Sequence, residues 1–107
     1  MTAFVRRARA AARFDPGKAA KADLFRGDRL FLGLNCFEPG QLQSAHTHAG
    51  ADKFYLILSG KANMVVGDER ITVESGDLVW CPAGVLHGVD QALEQTVMLV
   101  GIAPPPR

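Results

Sequence analysis

The chain has 107 residues, enough for one domain with a single modest core. Apolar residues make up 48%, and 12 basic against 11 acidic residues leave a net charge of +1. That balance gives no basic face for nucleic acid, no apolar run approaches the roughly 18 residues that span a bilayer, and two cysteines are too few for a disulfide framework.

The first thirteen residues carry four arginines, Arg6, Arg7, Arg9 and Arg13, among alanines. No apolar stretch follows them, so they are not a secretory signal. Residues 1–21 read as an N-terminal arm or edge strand, with a transit-like or membrane-surface helix as the alternative. Cys36 and Cys81 read as free thiols in a cytoplasmic protein.

From residue 22 onward, short runs rich in Val, Ile, Leu and Phe alternate with Gly, Pro, Asp and Asn. Strands are predicted over 22–25, 30–37, 43–47, 54–59, 62–66, 70–74, 78–81, 87–89 and 97–102. Gly67-Asp68 predicts a two-residue hairpin turn, and Pro39-Gly40, Ser75-Gly76-Asp77 and Pro82-Ala83-Gly84 mark further turns. Only 8–12 and 17–22 tolerate a helix, and both are short. About nine strands without a long helix imply an all-β sandwich or barrel over 22–103. The end, from Pro104 to Arg107, is rich in proline and is expected to be a loose tail.

His46, His48 and His87 are the only histidines in the chain. His46 and His48 stand two apart, so on a strand they point to one face. A third imidazole arrives from a separate turn. Three neutral imidazoles converging in a small β domain predict a site for a divalent Fe, Mn, Ni, Cu or Zn ion, with open positions for substrate. The alternative is a pocket that keeps its histidines for hydrogen bonding or for a metal-free ligand.

Written out, the two segments are Gly40-x5-His46-x-His48-x4-Lys53-x6-Gly60 and Gly76-x5-Pro82-x-Gly84-x2-His87-x3-Gln91. They resemble the two signature motifs of the cupin superfamily, and eight of the ten fixed positions match with every gap length correct. The resemblance implies a cupin jelly-roll barrel, a double-stranded β-helix, in a single domain. The run from His46 to Tyr55 is similar to that of small single-domain bacterial cupins of the conserved-barrel type. Two positions depart from the pattern. The family carries a glutamate ligand where this chain has Lys53, and an asparagine where it has Gln91. An ammonium is no ligand and is repelled by a divalent cation. Asp52 lies on the opposite face of a regular strand and does not replace the glutamate unless a bulge intervenes. Thiol dioxygenases of the same superfamily work with three histidines and no glutamate, so losing the acid does not by itself abolish metal binding.

Lys53 is expected to face the barrel interior, as an anchor or proton donor for an anionic substrate or in a salt bridge. Tyr55, Trp80 and Gln43 are candidate pocket residues. Phe54, Leu56, Leu58, Leu78 and Trp80 are expected in the core together with Met64, Val66 and Val79. The functional expectation is a metal-dependent dioxygenase, decarboxylase or isomerase on a small organic anion. The alternatives are a non-enzymatic binding or sensor module, and a metal-free isomerase using Lys53. A homodimer is expected because a small barrel leaves an exposed edge.

Overall fold

The computed structural model describes residues 2–106, so the first residue of the expected arm and the last of the expected tail lie outside it. Nine strands form: β1 (Ala20–Arg26), β2 (Phe31–Phe37), β3 (Gln43–His46), β4 (Asp52–Ser59), β5 (Lys61–Val66), β6 (Glu69–Glu74), β7 (Leu78–Cys81), β8 (His87–Ala92) and β9 (Thr96–Ala103). They build two antiparallel sheets, one ordered β1-β2-β9-β4-β7 and the other β3-β8-β5-β6. Every predicted strand is present. β1 begins inside the helix-tolerant stretch, and β8 runs three residues further than predicted because Asn63 and Ala62 continue its pairing with β5.

Residue alternation decides which side of each strand is buried. On β4, Lys53, Tyr55 and Ile57 face inward, and Asp52, Phe54 and Leu56 face outward. Tyr55 and Ile57 pack with Phe37, Met64, Val89, Met98 and Val100 into one core between the sheets. On β7 only Val79 and Cys81 face in, leaving Leu78 68% and Trp80 57% exposed. The expectation that both are core residues is therefore corrected. Apolar character alone does not say which face of an edge strand is covered. Phe54, Leu56 and Leu58 likewise stand on the outer face and are only half-buried.

The hairpin turn at Gly67-Asp68 closes β5 against β6, with Val66 paired to Glu69 and Gly67 at φ +61°. Gly60, the last glycine of the first motif, has φ +92°, and a Cβ there would fall 2.3 Å from the Gln95 carbonyl oxygen. Both conditions exclude a side chain. The corner between β4 and β5 thus depends on that residue type.

The N-terminal arm runs into β1, an edge strand of the five-stranded sheet, through its last two residues, Ala20 and Lys21. It makes one 3-10 turn, Ala8–Ala11, and lays Ala11, Ala12 and Phe14 against Leu34, Cys36 and Val97 on the outer face of the five-stranded sheet. Arg9 ties it down by donating to the Leu58 carbonyl. The tail is also held, since Arg26 donates to the Pro106 carbonyl. Cys36 lies under the arm and Cys81 lies inside the barrel, both buried and free. Among the described residues no helix is long and apolar enough to cross a membrane.

Candidate metal centre

The histidines come together through the pairing of β3 with β8. His46 is directly opposite His87 in that ladder, and Gln43 is opposite Val89. Two residues separate Gln43 from His46 on one strand and only one separates their partners, so β3 is bulged between them. Without the bulge the two side chains would point to opposite faces. Gly88 makes room for it: a Cβ there would sit 2.8 Å from both the Ala45 Cα and the Gln43 carbonyl oxygen.

His48 lies two residues past the end of β3, so the same-strand argument for its direction does not hold. A backbone bond holds it instead. Gly84 N–H donates to the His48 carbonyl at 2.9 Å, docking the Pro82-Ala83-Gly84 turn onto this segment. Gly84 has φ +81°, which only glycine adopts readily. The three rings end within 4.5 to 5.6 Å of one another, centroid to centroid. One ligand nitrogen from each lies within 4.8 Å of the others, so His46, His48 and His87 form a group that can hold a metal ion.

Hydrogen bonding fixes which nitrogen two of the rings offer. His46 Nδ1 is 2.9 Å from the Ser44 carbonyl oxygen, and His87 Nδ1 is 2.9 Å from the Val85 carbonyl oxygen. A carbonyl only accepts, so both Nδ1 atoms carry the proton and both Nε2 atoms keep a lone pair. His87 Nε2 is buried and has no hydrogen-bond partner. A buried acceptor without a donor is costly unless something binds it. Burial lowers the pKa of His48 and of His87, and neighbouring cations, Lys53 among them, lower both further. The donor set therefore fits a divalent transition metal: neutral imidazoles, two of them oriented by backbone carbonyls, with an orphan nitrogen at the meeting point.

No carboxylate joins them. Asp52 faces outward as strand alternation requires, and its Oδ1 accepts from Ala83 N–H at 2.9 Å. Lys53 faces inward and is 4% exposed. Its Nζ lies 4.7 Å from the centroid of the Tyr55 ring, which in turn is 6.2 Å from the His87 ring. Among the described residues Lys53 has no salt bridge, since the one ion pair is Arg70–Asp90 on the surface. Burial lowers the Lys53 amine from 10.5 to about 8, with Lys21 adding to the effect. Cys81, its cross-strand partner, is pushed up to about 11 by burial.

The other candidates divide. Tyr55 is fully buried beneath the site, its hydroxyl donates to Gln43 Oε1 at 2.7 Å, and burial raises its pKa. Gln43 is thereby occupied in bracing Tyr55. Trp80 is on the outer face and does not approach the histidines.

A cavity of about 480 Å³ opens along β1, β2, β9 and Lys53. It brings in Lys21, Asp23, Arg26 and Asn35, none of which the sequence motifs single out. Asn35 had a signal: it is the polar member of the inner-face set Phe31, Gly33, Asn35, Phe37 in an otherwise apolar run.

The model of the cupin domain matches residues 33–102, which contain all three histidines and Lys53. The chain belongs to the cupin family. An uncharacterised Streptomyces coelicolor relative of this cupin is 34% identical over 86 residues, covering 80% of this chain and 81% of that one. The TT1209 crystal structure from Thermus thermophilus superposes with a TM-score of 0.90 at 35% identity, over 95% of this cupin and 98% of that chain. An RmlC-like cupin from Desulfovibrio desulfuricans matches with a TM-score of 0.85 at 26% identity, over 95% and 97% of the two chains.

The Lys53 amine gives a direct test of its burial in this cupin. An unfolded lysine binds its proton up to about 10.5, whereas the folded one releases it near 8. Unfolding therefore takes up a proton between those values, so Lys53 makes stability rise with falling proton activity, that is with pH, across that window. Below pH 8 the full penalty applies, about 3 kcal/mol. Lys53→Met is expected to stabilise the metal-free protein by about 2–3 kcal/mol at pH 7 in urea unfolding. The advantage should shrink towards pH 10; an equal or negative difference at both pH values would contradict the buried, unpaired amine.

Proposed function

We propose that this cupin is a metal-dependent enzyme acting on a small organic anion, by dioxygenation, decarboxylation or isomerisation. The observation that carries the reading is the fixed Nδ1–H of His46 and His87, which leaves their Nε2 atoms, one of them buried and unpartnered, free to bind an ion. A divalent Fe, Mn, Ni, Cu or Zn ion would be held by His46, His48 and His87. When bound, it would supply a Lewis acid that polarises a substrate oxygen, with open positions for that oxygen.

This chain's own residues supply the rest. Lys53 places a cation inside the barrel, where a carboxylate or enolate oxygen is favoured over a neutral group. Tyr55, braced by Gln43, supports both the Lys53 amine and the His87 ring from below. The apolar core under the site limits access of water to one side.

A second reading, a binding or sensor module without metal, has one observation in its favour. Lys53 stands where the family carries its acidic ligand, and its charge opposes a cation nearby. Metal content separates the two. Untagged protein incubated with Fe(II), Mn(II), Ni(II) or Zn(II) and dialysed should retain about one equivalent by elemental analysis, and His87→Ala should reduce that to trace. Trace metal in the unsubstituted protein would leave the binding module as the surviving reading.

The expected homodimer would use the outer face of β4 and β7, where Leu78 and Trp80 are exposed beside the half-buried Phe54 while the arm shields the β1 side. Trp80→Glu should shift the mass in light scattering from dimer to monomer; a monomeric parent protein would refute the assembly.

A further inference from the structure

The cavity along β1, β2 and β9, which reaches towards the histidines through Lys53 and the Tyr55 ring, is lined by two largely buried polar side chains that make no hydrogen bond within the described part of the fold. Lys53 is 4% exposed and Asn35 is 6% exposed, and both line this one cavity. Among the described residues neither side chain makes a hydrogen bond or ion pair. The one fully buried side-chain polar atom without a partner among the described residues is His87 Nε2, so the polar atoms of Lys53 and Asn35 face the open space of this cavity, where a ligand can reach both.

The register of the strands shows how they are presented. Asn35 is paired with Lys21 across β1 and β2, and Asp23 is paired with Gly33. Phe31 is paired with Arg26 on one side and Ile102 on the other, and Ile102 is paired with Lys53. Gly33 carries no side chain, and the Phe31 ring lies over it, so an apolar ring forms the floor between the Asn35 row and the Lys53 row. The walls then bear three cations, Lys21, Arg26 and Lys53, against one carboxylate, Asp23. On a chain whose net charge is only +1, that is a local concentration of positive charge. Arg26 is partly engaged by the Pro106 carbonyl, and Lys21 is exposed and unpaired at the rim.

We infer that this cleft binds a second carboxylate of the ligand, so that the protein takes a small dicarboxylate with one end at the histidines and the other on Asn35, Lys53 and Lys21. The inference rests on the reading of the site as one for small organic anions and names the class of anion. Lys53 and Lys21 supply charge, and the Asn35 amide N–H supplies a directed hydrogen bond to a carboxylate oxygen. A cleft of this volume is of the size that holds a small organic ligand.

The test compares glutarate with butyrate, two acids of similar length that differ by one carboxylate. Binding is measured by calorimetry on metal-loaded protein, with Lys21→Met and Asn35→Leu as variants. Asn35→Leu replaces an unpaired buried amide by an apolar group, and Lys21→Met alters an exposed position, so either one tests the idea should the other fail to fold. Glutarate is expected to bind at least tenfold more tightly than butyrate, and each variant should bring that ratio close to one without changing metal content. Equal binding of the two acids, or a ratio that neither variant alters, would overturn the cleft while leaving the metal reading intact. If the protein takes up no metal yet binds glutarate in a Lys21-dependent manner, the cleft stands and the metal reading alone fails.

Discussion

The antiparallel pairing of β3 with β8 sets His46 directly across from His87, and the geometry of the site follows from that one ladder. The bulge in β3 turns Gln43 and His46 to the same side, and Gly88 lets the bulged backbone come close. Gln43 then reaches Tyr55, which underlies the site, and the Pro82-Ala83-Gly84 turn clips His48 into place through its carbonyl. Backbone carbonyls of Ser44 and Val85 take the Nδ1 protons. The arrangement is preorganised by main-chain hydrogen bonds, which tolerate little adjustment and so hold the Nε2 atoms where a shared ligand would need them.

Lys53 is the feature that works against stability. A buried ammonium with no counter-ion among the described residues weakens the fold at neutral pH, and a hydrophobic residue of similar length would pack there without that penalty. Functional sites are where such local costs are kept. Asn35, also largely buried, turns its amide to the same open space. Both residues open to one cavity that also holds Lys21 and Arg26, so the polar groups that burden the barrel are gathered in one place rather than scattered.

Much of the fold was legible from residue types. Strand positions followed from β-branched and aromatic runs punctuated by glycine and proline, and the spacing of Gly40, His46, His48, Gly60, Pro82, Gly84 and His87 indicated the cupin barrel and its histidine cluster. The inward direction of Lys53 and the outward direction of Asp52 followed from alternation along an unbroken β4. What alternation does not carry is the identity of the covered face on an edge strand. Trp80 and Leu78 therefore looked like core and are exposed. Nor does local pattern reveal a partner distant in sequence. The arm's packing on β2 and β9, the tail's tie to Arg26 and the meeting of Lys21 with Lys53 all depend on contacts between remote segments. His48 converged with His46 for a different reason from the one its spacing suggested, a loop held by Gly84 rather than a continuing strand.

The central question for this cupin is whether three imidazoles suffice for a metal when the fourth position of the family motif carries an ammonium. Diffraction from crystals grown with Co(II), recorded at the cobalt absorption edge, tests this most directly. One strong anomalous peak per chain is expected, bonded to the Nε2 atoms of His46 and His87 and to a ring nitrogen of His48, with the Lys53 amine turned towards Asn35 and away from the ion. Absence of a peak at the histidines, or Lys53 Nζ occupying the meeting point of the three rings, would contradict it.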